Sequence, residues 1–226
     1  MKILFMGRKQ VSANLLRFLT KHDHIEIVGV LTDSHLQGSP TTAAAQELGL
    51  PLYTFDTALE AMREGRLKYD LGLSVLYWRK LRDEFLSIPT LGTINFHPAL
   101  LPEYKGTGGY NLAIMDELNE WGNTAHYVDA SIDTGEIIEV DRFPIDAETE
   151  TAQSLERKTM QALEDFARRI ITRAIESKTK LPTTPNIGGR YVSRGEMEAM
   201  KQIRDGDNIE KKIRAFWFPP YDGAYV

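Results

Sequence analysis

The chain has 226 residues, 42% of them hydrophobic, a formal net charge of −5 and no cysteine. That length can bury one substantial core, as one large domain or one with a small annex, and the missing thiols exclude a disulfide framework, a thiolate metal site and a cysteine nucleophile. The acidic balance argues against a large nucleic-acid surface, and with no apolar run near the roughly 20 residues of a membrane span and no signal-peptide layout, a cytoplasmic protein without membrane or nucleic-acid partner is expected.

Residues 2–6 form a short apolar run that reads as a buried strand, closed by Gly7. Residues 12–21 follow with Leu15, Leu16, Phe18 and Leu19 at helical spacing. The intervening loop has one glycine where a dinucleotide fingerprint has three, so no nicotinamide cofactor is expected. Arg8 and Lys9 in it are either a solvated basic pair or a phosphate contact at the helix N-terminus. Residues 25–32 read as a second strand, 41–48 as an alanine-rich helix capped by Gly49, Leu52 and Tyr53 as a short strand, 58–64 as a helix and 71–76 as a fourth strand. Strands alternating with helices imply βαβ units: an α/β, Rossmann-like, mostly parallel sheet with helices on both faces and ligands at the C-terminal strand ends. Beyond the centre of the chain, 110–119 reads as helix, 124–128 and 136–143 as strands, and 151–177 as a long helix. Its stripe is Leu155, Thr159, Leu163, Phe166, Ile170 and Ala174. Residues from 181 are a Pro- and Gly-rich connector, followed by helical pieces at 194–202 and 208–215 and the aromatic run FWFPPY, so a catalytic domain over 1–180 and an annex over 181–226 are expected. Tyr225 and Val226 read as part of a strand, so a natural chain that continues is expected.

The chemistry is concentrated between residues 91 and 135, which begin LGTINFHPALLPEYKGTGGYN and end NTAHYVDASIDTGEII. If 93–96 is a strand, Asn95 and His97 leave the same face at its end. Asp133 follows in an IDTG turn. An amide donor, an imidazole and a carboxylate suit acyl transfer to an amine: one holds a developing oxyanion, one handles protons, and one orients the imidazole or takes a proton. His97, His126, Asp129 and Asp133 are metal ligands by type, but their spacing is poor for zinc, and no metal is expected, with His126 packing or lining the cleft.

This ordered set, Asn95, His97, Leu101, Pro102, Lys105, Gly106, Asp133 and Gly135, resembles the signature of the 10-formyltetrahydrofolate-dependent formyltransferases. The resemblance implies formyl transfer with Asn95, His97 and Asp133 as catalytic residues and 10-formyltetrahydrofolate as co-substrate. It also implies that the backbone of Tyr77, Trp78, Arg79 and Lys80 grips the pteridine, with Asp129 in a second loop against the folate ring. Lys105, Gly106 and Tyr110 stand beside the catalytic strand, where an anionic acceptor would be steered. Of Phe216, Trp217, Phe218 and Tyr221, some bury the annex and at least one, Trp217 or Tyr221, is expected to stack on a nucleotide base.

Three branches compete. Glycinamide ribonucleotide formyltransferases resemble HPALLPEYKG but carry a glycine-rich phosphate loop where this chain has GRKQVS. Methionyl-tRNA formyltransferases add a C-terminal tRNA-gripping barrel for which this acidic chain offers no room. Sugar-nucleotide N-formyltransferases resemble it in IRAFWFPPYDGAY, YWRKL and GGYN. An amino dideoxysugar, dTDP-linked and destined for surface polysaccharide such as O-antigen, is therefore the expected acceptor, and a homodimer the expected assembly. From another class, a folate- or nucleotide-binding sensor would need no proton-handling group beside an amide donor.

Overall fold

The computed structural model describes residues 1–32 and 38–226. Among these, the chain runs β1 (Lys2–Gly7), α1 (Gln10–Leu19), β2 (Glu26–Leu31), α2 (Pro40–Glu47), β3 (Leu52–Tyr53), α3 (Phe55–Arg63), β4 (Leu71–Val75), α4 (Asp83–Ser87) and β5 (Thr93–His97). It continues with β6 (Tyr104–Gly106), α5 (Gly109–Met115), β7 (Glu120–Tyr127), β8 (Ile137–Pro144), α6 (Ala152–Ser177), β9 (Arg190–Val192), α7 (Arg194–Ala199) and α8 (Ile209–Phe216).

Among the described residues the main sheet has seven strands in the order β3-β2-β1-β4-β5-β7-β8. The first five are parallel, and β7 and β8 join antiparallel. The mostly parallel sheet expected from the strand–helix alternation is what forms. Strand β1 shows why its sequence is apolar throughout. Ile3 and Phe5 pack on one face with α1 and α6, while Leu4 and Met6 pack on the other with α3 and α4. Helix α6 begins with a capping box between Thr151 and Ser154 and lays Leu163, Phe166, Ala167, Ile170, Ile171 and Ala174 against the first face.

Three elements depart from the expectation. The span read as a connector contributes β9, which pairs in parallel with β6. Neither strand exceeds three residues, too short for a periodicity, and each exists only because the other is brought to it. Helix α4 is likewise a single short turn region. Strand β7 starts at Glu120 and not at Thr124, because Trp121 to Ala125 are all buried and carry no alternation to read.

The C-terminal residues are packed onto the main body. Asn111 Nδ2 on α5 donates to the carbonyl of Ala215 on α8 at 2.6 Å, and Ile114, Ala152, Ala215 and Phe216 form a common apolar cluster. Among the described residues no helix is long and apolar enough to cross a membrane.

Candidate active site

Strand β5 lies between β4 and β7, with Ser74 and His126 the register partners of Asn95 on its two sides. Period-two alternation sends Ile94 and Phe96 into the core and leaves Asn95 and His97 on the opposite face at the strand's C-terminal end. The geometry expected of that pair is therefore present.

Asp133 reaches them from the loop after β7. Its backbone sits in the left-handed region at φ 55°, and Asn186 Nδ2 donates to its carbonyl at 3.0 Å and to that of Gly135 at 2.8 Å. Gly135 has to be glycine, because a Cβ there would lie 1.8 Å from the carbonyl oxygen of Tyr127. The Asp133 carboxylate accepts from the Gly106 amide at 2.9 Å, stands 3.5 Å from His97 Nδ1 with the same oxygen, and 3.6 Å from His126 Nε2 with the other. Burial by itself would raise this carboxyl; His97, His126 and the Gly106 amide outweigh it and lower it to about 2, so it is ionised at neutral pH.

His97 is buried, and burial lowers its pKa below 6.5 against the opposing pull of Asp133 and of the Tyr104 carbonyl. Its Nε2 lies 2.8 Å from that carbonyl, which can only accept, so Nε2 carries the proton. The lone pair is then on Nδ1, facing the Asp133 side. His97 is thus set to receive a proton at Nδ1, and donates to an oxyanion only after doing so.

A cavity of about 420 Å³ has Asn95, His97 and Asp133 in its wall, together with Tyr77, Trp78, Arg79, Lys80 and Asp129. The Asp129 carboxylate is spent on the loop itself, accepting from the Ser131 amide at 3.0 Å and from Thr134 Oγ1 at 2.6 Å. A second cavity of about 400 Å³ meets the first at Trp78, His97 and Gly106 and extends past Tyr110 and Asn111 to Arg8, Lys9, Phe218 and Tyr221. Lys9 there is paired with Glu156 at 2.5 Å. Tyr110 is half-buried beside that cavity, and burial with nearby Glu156 pushes its hydroxyl pKa well up, so it stays neutral.

Two of the expected binding residues are placed elsewhere. Lys105 Nζ is buried and donates to the Gly188 carbonyl at 2.6 Å, where it ties β6 to the segment before β9. Trp217 lies outside both cavities, and its carbonyl accepts from the Gln153 amide at 3.1 Å. Conversely, Ser74 and Arg194 line the cavities although no sequence motif marks them, and Asn111, the last residue of GGYN, joins them. Ser74 had a faint signal, as the lone polar residue of the apolar strand LGLSV. Among the described residues no group of three His, Asp or Glu could hold a metal ion.

The family model described as formyl transferase matches residues 1–174. Methionyl-tRNA formyltransferase of Lysinibacillus sphaericus is 29% identical, over 99% of this chain and 74% of that protein. Among solved structures, the N-formyltransferase from Helicobacter canadensis, in complex with folinic acid and dTDP-3-aminofucose, superposes with a TM-score of 0.80 at 25% identity, over 100% of this chain and 84% of that one. Phosphoribosylglycinamide formyltransferase from Anaplasma phagocytophilum superposes with a TM-score of 0.67 at 21% identity, over 85% of this chain and 96% of that one.

Proposed function

Because the chain belongs to the formyl transferase family, we propose that it carries the formyl group of 10-formyltetrahydrofolate to the amine of a nucleotide-linked amino sugar. Formyl transfer is the family's chemistry and 10-formyltetrahydrofolate its donor. The observation that carries the reading is the meeting of two cavities at His97, within reach of Asn95 and Asp133.

The folate fills the cavity walled by Tyr77 to Lys80 and Asp129, so that its N10-formyl group lies at the junction, and the acceptor enters through the other cavity. The acceptor nitrogen attacks the formyl carbon, and Asn95 Nδ2 donates to the oxygen as charge develops on it. His97 Nδ1 takes the proton that the nitrogen sheds, and the ionised Asp133 stabilises the resulting imidazolium. When the bond from carbon to folate N10 breaks, that proton passes to N10. No covalent enzyme intermediate forms, and holding both reactants at one junction supplies much of the rate.

For the acceptor, the similarity to the sugar N-formyltransferase extends through residues 181–226, whereas the phosphoribosylglycinamide enzyme covers less of the chain. In this reading those residues form an annex after the catalytic domain of residues 1–180, and its Phe218 and Tyr221 wall the acceptor cavity together with Arg8 and Lys9. Aromatic rings and basic side chains are the complement of a base and a diphosphate, with Lys9 exchanging Glu156 for phosphate. Gly106 and Tyr110 border the sugar, Lys105 supports them from behind, and Trp217 stacks only if the run rearranges when substrate enters. A dTDP-linked dideoxysugar bound for surface polysaccharide fits this arrangement, in a homodimer working in the cytoplasm.

The 29% identity to a methionyl-tRNA formyltransferase favours a second reading, with the aminoacyl amine of a charged tRNA as acceptor. A net charge of −5 disfavours it. Purified protein should be given 10-formyltetrahydrofolate with a panel of dTDP-amino sugars, glycinamide ribonucleotide and methionyl-tRNA. Formylation of a sugar nucleotide at the highest kcat/KM supports the proposal, and turnover of the tRNA alone would replace it with the second reading.

A further inference from the structure

Three strands set one polar side chain each into a single row: Ser74 on β4, Asn95 on β5 and His126 on β7. All three line the first cavity. Their hydrogen bonds have one self-consistent direction. His126 Nδ1 is 2.8 Å from the Tyr127 carbonyl, an acceptor only, so Nδ1 bears hydrogen. In the singly protonated ring the Nε2 lone pair then faces Asn95 at 3.0 Å, and the carboxamide group beside it must be the donor, Nδ2. Asn95 Oδ1 is thereby turned toward Ser74, whose Oγ donates to it at 2.8 Å. Reversing the amide would set its oxygen against the Nε2 lone pair.

We infer that Ser74 and His126 are positioning residues that fix the Asn95 carboxamide in one orientation, so that its second Nδ2–H is aimed into the cavity where the formyl oxygen comes to lie. This inference rests on the formyl-transfer reading. An asparagine amide left to rotate would present oxygen as often as nitrogen, and oxygen repels a developing oxyanion. The cost of holding it is met before substrate arrives. Burial makes the row firm: His126 is 2% exposed and Ser74 4%. The carboxylate of Asp133 is the charged group facing that ring, but at 3.6 Å from His126 Nε2 it is a more distant neighbour than Asn95 Nδ2 at 3.0 Å.

The test is a double-mutant cycle on formyl transfer. His126→Leu should lower kcat about 10- to 100-fold, the part of an oxyanion donor's contribution that depends on aim, with both KM values within about threefold. In the Asn95→Ala background the same change should cost less than about threefold, because there is no amide left to aim. His126→Gln, which can again offer an acceptor to Nδ2, should recover part of the lost kcat, and Ser74→Ala should reproduce the defect more weakly. An undiminished His126→Leu effect in the Asn95→Ala background, or wild-type kcat in His126→Leu, would overturn the inference. A readout free of turnover is ¹⁵N NMR of the imidazoles in the wild-type protein. Hydrogen on His126 Nδ1 with a bare Nε2 supports the row, and the opposite tautomer refutes it. Wild-type protein that formylates nothing on the panel would fail the functional reading, while the NMR result would still decide the orientation.

Discussion

Asn95 contributes a single N–H, yet removing an oxyanion donor costs on the order of 10²-fold in kcat. Asn95→Ala should therefore fall by about that factor with folate binding largely retained, which equilibrium titration of a folate analogue would check. His97→Asn keeps a polar group but loses the Nδ1 base, and should be as damaging in single-turnover kinetics. The acid side of the kcat/KM profile should report His97 and lie below 6.5, because burial favours its neutral form. Asp133 pulls that pKa upward, so Asp133→Asn should move the acid limb to still lower pH while reducing kcat. An acid limb that moves upward would remove Asp133 from contact with the titrating group. The same two groups set an acid sensitivity of the fold. The unfolded chain takes up the His97 proton first, so stability declines as pH falls below 6.5. The Asp133 contribution is complete above its ordinary 3.8 and lost toward about 2. Denaturant midpoints measured from pH 8 to pH 2 should fall along that course, and the Asp133→Asn variant should lack the lower part of it.

At the scale of elements, the site depends on strands that place their side chains and on turns that must close behind them. Helix α6 is the longest element and is held at its start by Thr151 Oγ1 accepting from the Ser154 amide at 3.1 Å while Ser154 Oγ accepts from the Thr151 amide at 2.9 Å. Thr151→Ala should cost about 1 kcal/mol of stability, read as a shift in denaturant midpoint at constant slope, with kcat unchanged. The turn behind Asp133 is less forgiving. Gly135→Ala drives a methyl into the Tyr127 carbonyl and should lower both melting temperature and activity, because the displaced loop carries Asp133 with it.

Across the whole molecule, the C-terminal aromatic run serves both packing and the cavity wall, and Phe216 takes part in both. Phe216 is 2% exposed in the cluster between α5 and α8, so Phe216→Ala should cost about 3–5 kcal/mol through the cavity it opens. Tyr221 is 66% exposed and lines the second cavity, so if a nucleotide sugar binds there as proposed, Tyr221→Ala should raise its KM with kcat and melting temperature nearly constant. Trp217, 51% exposed and outside both cavities, is the comparison: Trp217→Ala should leave all three nearly unchanged. An acceptor KM that responds to Trp217 and not to Tyr221 would show that the run rearranges on binding.

The sequence by itself determined the sheet's parallel half and the shared face of Asn95 and His97. Apolar runs such as residues 2–6 and 71–76, bounded by breaks and alternating with helical segments, read as strands buried on both faces, and Asn95 and His97 share a face because strand side chains repeat every two residues. The aromatic run was legible as important, but not which ring does what, since Phe216, Trp217 and Tyr221 differ in environment and not in type. Tertiary structure alone decided the rest. Lys105 looked like a ligand for an anion and is a buried tie to Gly188, because β6 is paired with a strand more than eighty residues away that has no periodicity of its own. The row from Ser74 through Asn95 to His126 likewise depends on the register of three strands, and register is set by which hydrophobic faces pack together, a property of the assembled sheet and not of any one segment.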